Sequence, residues 1–255
     1  MRHPTSVALA GLCVALAPLA ACGGASTGGD DGERTELLVL AASSLTGALD
    51  DLAAAFEAEH PDVDVLLSFG GSGALAVQVE QGAPADVVAF ADVEPMRRLE
   101  EAGLVGSAEV FATNALTIAV PDGDPGGVTS IDDFARGELL LGACAPEAPC
   151  GSYARRAFEA AGIEPALDTE EPDVRSLVTK LAAGELDAGI VYVTDVAATP
   201  ALEAIELPAS VDVRAEYPIA VPTGSEHPEL ARELVDLVRS EEGRRTLADA
   251  GFGPP

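Results

Sequence analysis

Positive charge is scarce in this 255-residue sequence: 14 Lys+Arg stand against 43 Asp+Glu, a formal net charge of -29. So acidic a surface repels phosphodiester backbones and anionic lipid headgroups, which argues against nucleic acid as a partner. Histidine is scarce too, with 3 in the chain, and no D-x-D-x-D-G loop occurs, so the surplus carboxylates read as solvated faces rather than calcium ligands. The 3 tyrosines, Tyr153, Tyr192 and Tyr217, include no adjacent pair, which disfavours a phenolate iron site. No period of repeat-protein length is visible. The acidic surface also repels small anions at long range, so an anion site would have to hold its ligand at contact range, where salt screens the distant charges.

Hydrophobic residues make up 48% of the chain, enough to build one large domain or two small lobes with real cores. At the N-terminus, Arg2 and His3 precede an apolar run from Val7 to Ala21 that is too short to remain across a bilayer. The run ends in Leu19-Ala20-Ala21-Cys22-Gly23, which resembles the lipobox of bacterial lipoproteins. The resemblance implies a signal peptide over 1–21 and a lipid-modified Cys22 that anchors the protein to the outer face of the cell membrane. An ordinary secretory signal cut near Ala21 is the alternative, and both place the folded part outside the cytoplasm. Residues 22–35, including GGASTGGDDGERT, read as the lipidated N-terminus and a flexible tether, and the fold is expected to start near Glu36. Cys13 leaves with the signal and Cys22 carries the lipid. Cys144 and Cys150 remain in an oxidising space, where a disulfide is expected to rigidify one loop. A two-cysteine metal site is the rival reading, but no histidine lies nearby to complete it.

Strand-like and helix-like segments alternate throughout, the pattern of an α/β protein with mainly parallel sheets. Strands are expected at 37–41, 63–69, 86–90, 115–120, 138–143, 187–193, 203–207 and 216–221. Helices are expected at 45–60, 73–82, 94–103, 130–136, 152–161, 174–183, 227–239 and 241–250. Ala115 to Val120 and Tyr217 to Val221 read as two crossings between lobes. Lobe I then comprises 36–114 plus 221–255 and lobe II 115–220, with hinge segments near 113–118 and 216–221.

Four helix starts share one chemistry. In LVLAASSLTGALDDLAAAF (38–56) a short apolar strand runs into Ser43, Ser44 and Thr46 before Leu45, Leu49, Leu52 and Phe56 recur at helical spacing. Val63 to Phe69 is followed by Gly70-Gly71-Ser72-Gly73 and a helix carrying Leu75 and Val79. Leu139 to Leu141 leads through the cysteine loop to Gly151-Ser152, and Pro172-Asp173-Val174 opens another helix. The strand from Ala188 to Val193 ends near Tyr192, one more hydroxyl. Ser, Thr and Asp at a helix start usually only cap it. Two such starts in each lobe, however, would converge beyond the carboxyl ends of the strands, where open α/β sheets bind ligands. Hydroxyls and unpaired N–H groups suit an acceptor-only oxyanion, which fixed dipoles can hold without a buried cation. Arg155 and Arg175 lie just beyond these loops.

AASSLTGAL (41–49), SFGGSGALAVQVEQGAPADVVAFAD (68–92), PCGSYARRAFEAAGI (149–163), EPDVRSLVTKLAAGELDAGIVYVTD (171–195) and EYPIAV (216–221) together resemble the molybdate-binding proteins of ABC transporters. The resemblance runs in order from Glu36 to Phe252, with GAPADVV and DAGIVYVTD its more specific pieces. It implies a two-lobed periplasmic-binding-protein-like fold, each lobe a mainly parallel sheet flanked by helices, with a two-segment hinge. It also implies an anion held by two serines, two backbone amides and a tyrosine. By motif these fall on Ser44, Ser72, the amides of Cys150 and Val174, and Tyr192. The metal would enter only as its oxyanion, with no direct cation ligand and no cofactor. Ser43, the glycines 70, 71 and 73, and Cys150 depart from the family pattern. The implied function is an extracytoplasmic solute-binding lipoprotein that delivers molybdate, and tungstate, to a membrane permease. A monomer is the expected state.

Two alternatives stand beside this one. Within the binding class, sulfate is another acceptor-only tetrahedral dianion, whereas phosphate needs a buried acceptor such as Asp173 for its proton. In a different class, Gly70-Gly71-Ser72-Gly73-Ala74 nearly matches the hydrolase elbow, with Asp187 or Asp195 and then His227 following in order.

Overall fold

The computed structural model describes residues 34–211 and 213–255. The signal segment 1–21, Cys13, Cys22 and the tether up to Glu33 lie outside the described residues. In chain order the strands are β1 (Thr35–Ala42), β2 (Val63–Gly70), β3 (Val87–Ala89), β4 (Glu109–Pro121), β5 (Leu141–Cys144), β6 (Thr169–Glu171), β7 (Ala188–Tyr192), β8 (Leu202–Ile205) and β9 (Arg214–Ala220). The helices are α1 (Thr46–Glu59), α2 (Ser72–Glu80), α3 (Val93–Glu101), α4 (Pro149–Ala161), α5 (Val174–Ala182), α6 (Val193–Ala197), α7 (Pro228–Arg239) and α8 (Glu241–Asp249). Short 3₁₀ turns lie at Ser43–Leu45 and Ile131–Ala135.

The strands follow the order β2-β1-β3-β9-β4-β7-β5-β6, with β8 paired to β4. β1 runs parallel to β2 and β3, and β5 runs parallel to β6 and β7. Among the described residues every antiparallel pairing between strands involves β4 or β9, so the sheet is mixed where these two strands carry the chain between the parallel sets. β4 spans 13 residues: Glu109 to Ala115 pair with β9, and Leu116 to Pro121 pair with β7 and β8.

Parallel strands with helices on both faces are apolar throughout, and their two faces separate by residue parity. Leu37, Val39 and Ala41 of β1 join Leu49, Leu52 and Phe56 of α1 in one core cluster. Leu40 joins Leu75, Val88, Phe90, Met96 and Leu99 in a second. The buried Asp86 stitches this end of the sheet, accepting from Leu38 N at 2.9 Å, Ser225 Oγ at 2.6 Å and His227 N at 3.2 Å.

Four elements differ from the sequence expectation. β4 begins at Glu109 rather than near 115, 130–136 holds a 3₁₀ turn over Ile131–Ala135, and β6 and α6 are additional. β6 is a polar three-residue strand and α6 a five-residue helix, each too short to set up a hydrophobic period.

Candidate functional site

Parallel strands deliver their successors from the same edge of the sheet. The register sets Ala42 of β1 beside Gly70 of β2, so the starts of α1 and α2 lie side by side. β5, β6 and β7 do the same for α4, α5 and α6 from the other part of the sheet. These starts meet around one cleft of about 180 Å³, lined by Ser43, Ser44, Gly70, Gly71, Ser72, Ala91, Pro149, Cys150, Asp173, Val174 and Tyr192. All five residues expected to contact an anion, Ser44, Ser72, Cys150, Val174 and Tyr192, thus line one space.

The two serines are oriented from behind. Ser72 is fully buried, and its Oγ accepts the N–H of Ala91 at 3.0 Å, leaving its proton to donate. Ser44 Oγ lies 3.0 Å from the Tyr217 hydroxyl. That hydroxyl accepts from Asn114 Nδ2 at 3.3 Å, and the same Nδ2 donates to Thr194 Oγ1 at 2.8 Å. Asn114 Oδ1 accepts the N–H of Ala115 at 3.0 Å, which fixes the sense of its amide. Either hydroxyl can donate in the Ser44–Tyr217 hydrogen bond, and when Tyr217 donates the Ser44 proton is left for a ligand in the cleft. Tyr217 is held by edge contacts from Phe252, Tyr192 and Phe111, with centroids 5.3, 6.1 and 6.3 Å away.

Cys150 is the second residue of α4 and Val174 the first of α5, positions whose N–H groups have no acceptor within the helix. At helices of 13 and 9 residues they also sit at the positive end of a macrodipole. The start of α4 is held by the Cys144–Cys150 disulfide and by Gly151, where a Cβ would lie 2.0 Å from the Ala145 carbonyl oxygen.

Tyr192 closes the ring of donors. Its hydroxyl is buried and has no hydrogen-bond partner among the described residues. Burial pushes this phenol well above its ordinary pKa, with the neighbouring charges adding to the rise, so it keeps its proton. A buried unpaired hydroxyl costs about 1–3 kcal/mol. Here that group shares the cleft lining with Ser44, Ser72, Cys150 and Val174, the four other expected donors.

Acceptors are correspondingly few. Asp173 is the one carboxylate among the lining residues, and it caps its own helix: Oδ1 accepts Ser176 N at 3.0 Å and Oδ2 accepts Ser176 Oγ at 3.2 Å. Among the described residues no lysine or arginine lines the cleft, and Arg175 reaches from its rim to Thr46 Oγ1 at 3.3 Å. The hydrolase constellation is not assembled. No histidine lines the cleft around Ser72, and the N–H of His227 serves Asp86 at the entrance to α7. Among the described residues no group of three His, Cys, Asp or Glu is placed to hold a metal cation. Two contributors escaped the sequence reading. Asn114 lies on an unrecognised part of β4, and Tyr217 read only as part of a crossing strand. Their one signal is a polar residue where an apolar one would pack.

Residues 37–253 match the family model described as bacterial extracellular solute-binding protein. The chain is 38% identical over 247 residues to the molybdate-binding protein ModA of Mycobacterium tuberculosis (strain ATCC 25618 / H37Rv), covering 94% of each. Among solved structures it superposes on the periplasmic molybdate-binding protein of Azotobacter vinelandii with a TM-score of 0.72 at 19% identity, covering 86% of this chain and 99% of that one. It superposes on the sulfate-binding protein SubI of Mycobacterium tuberculosis H37Rv with a TM-score of 0.76 at 20% identity, covering 87% of each. Both likenesses establish an α/β periplasmic-binding-protein fold, and the fold alone does not separate the two anions.

Proposed function

The chain belongs to the bacterial extracellular solute-binding proteins, and among them to the molybdate-binding family, and on that premise we propose that its cleft captures molybdate for an ABC importer. The observation that carries the reading is the buried, unpartnered Tyr192 hydroxyl facing a cleft otherwise built of donors. A fully ionised tetrahedral oxyanion supplies the missing acceptor. A ligand carrying a proton would need an acceptor, and Asp173, the one carboxylate in the lining, uses each of its oxygens to cap its own helix. Ser44 and Ser72 hold the anion from one side, and the amides of Cys150 and Val174 with the Tyr192 hydroxyl hold it from the other. No bond in the ligand is made or broken; the work is binding and release.

Four finer points complete the proposal. Residues 36–114 with 221–255 form one lobe and 115–220 the other, and β4 and β9 supply the hinge. The anion favours the closed arrangement, which the permease recognises. Tungstate, of the same charge and shape, binds as well, and Cys22 carries the lipid that keeps the protein at the membrane's outer face.

Calorimetric titration with sodium molybdate, tungstate, sulfate and phosphate at one pH and salt concentration tests this. Tight binding of the first two with no heat from the others is expected. A preference for sulfate would keep the cleft and overturn the substrate.

A further inference from the structure

The start of α2 meets the opposite wall of the cleft backbone to backbone. A Cβ on Gly71 would lie 2.7 Å from the Pro172 carbonyl oxygen, and one on Gly73 would lie 2.4 Å from that of Glu147. Pro172 precedes α5 and Glu147 lies in the disulfide loop before α4, the two helices whose first residues line the cleft. Local conformation requires glycine at neither position. Gly71 has φ -69° and ψ 129°, open to any residue. Gly73 is the second residue of α2, where alanine is the better helix former. Both glycines are therefore explained by what they face, not by the backbone they adopt.

We infer that Gly71 and Gly73 are the stop against which the cleft closes, and that their missing side chains set the spacing at which donors from both walls reach one anion. The inference rests on the proposal that the cleft closes around a tetrahedral dianion. A methyl on Gly73 reaches ordinary contact with the Glu147 oxygen only if the walls part by about 1 Å, because 3.4 Å is where ordinary contact begins. A hydrogen bond of about 2.9 Å lengthened by that amount is no longer one. The obstructing atoms are backbone on both sides, so no side chain can swing away. With Ser44 and Ser72 on one wall and Cys150, Val174 and Tyr192 on the other, parting the walls forfeits one set of donors. The stop also fixes the closed size, which makes these two glycines specificity-determining: an anion smaller than the set spacing cannot draw the walls closer.

Gly73→Ala and Gly71→Ala test this, with Gly47→Ala on α1 as control, since a Cβ on Gly47 meets nothing within 4 Å. The readouts are thermal melting of ligand-free protein, calorimetric titration with sodium molybdate, and the radius of gyration from solution scattering with molybdate present. Gly73→Ala is expected to melt at or above the wild-type temperature, bind molybdate at least tenfold more weakly, and show a larger radius of gyration. Gly71→Ala lies outside the helix and carries the same binding prediction, so a folding defect in one variant leaves the other decisive. Gly47→Ala is expected within twofold of wild type. Wild-type affinity in well-folded Gly73→Ala or Gly71→Ala would overturn the stop. A wild-type protein that does not bind molybdate would overturn the functional proposal instead, and the titration reveals that before any variant is compared.

Discussion

In Tyr192→Phe the ring stays and only the hydroxyl goes. Because that hydroxyl is buried without a partner among the described residues, its loss should leave ligand-free stability unchanged or raise it, which chemical denaturation measures. Binding should move the other way, weakening roughly 10- to 150-fold for the loss of a charge-assisted hydrogen bond of about 1.5–3 kcal/mol. Next to it, Asp195 Oδ2 accepts the Tyr192 N–H at 2.9 Å. Burial pushes this carboxyl up to about 7, partly offset by that N–H. The unfolded value is about 3.9, so between the two pH values the folded chain holds a proton that the unfolded chain has lost. The contribution to stability is therefore complete below about pH 4 and is lost as pH rises through about 7. Relative to wild type, Asp195→Asn should gain stability at pH 8 and show a flatter profile across that window. At this scale the sequence shows hydroxyls at helix starts and at a strand end, while the choice of Ser44, Ser72 and Tyr192 as anion contacts comes from the family resemblance. Asn114 and Tyr217 were not legible, because they act through Ser44, across the long sequence separation that folding closes.

Among the elements, α4 depends most on a covalent constraint. The Cys144–Cys150 bridge closes a loop with a sequence separation of 6, for which loop-closure entropy gives about 2 kcal/mol, small for a disulfide. Its larger effect is to hold the first turn of α4, where Cys150 lines the cleft. Reduction should lower the melting temperature modestly and weaken molybdate binding several-fold, and titration with and without reductant measures both. The central elements were legible because β1 and β2 are apolar runs followed by helices with 3.6-residue periodicity, and β7 is an apolar run of its own. β6 and α6 were illegible for want of length. The first half of β4 was hidden because Thr113 and Asn114 break its apolar pattern while pairing with β9. The crossing strands made the sheet mixed, and strand direction is set by where the chain must return, which local pattern does not encode.

Over the whole molecule, a formal charge of -29 surrounds a cleft meant for an anion. In the proposed site fixed donors hold the ligand at contact range, while the surface field opposes its approach. Raising salt from about 0.01 M to about 0.15 M shortens the screening length from about 30 Å to about 8 Å. Molybdate association, followed by stopped flow, should therefore speed up with salt; a rate that falls would mean the cleft mouth is locally attractive. Bound ligand also stabilises by mass action, about 4 kcal/mol at a thousand times Kd, visible as a rise in melting temperature.

The most direct measurement of the central claim is a crystal structure of the protein grown with sodium molybdate, with the metal located by its anomalous scattering. One anion is predicted in the cleft, within hydrogen-bonding distance of Ser44 Oγ, Ser72 Oγ, the amides of Cys150 and Val174, and the Tyr192 hydroxyl. An anomalous peak elsewhere, or an anion in the cleft that leaves the Tyr192 hydroxyl unpaired, would contradict the account.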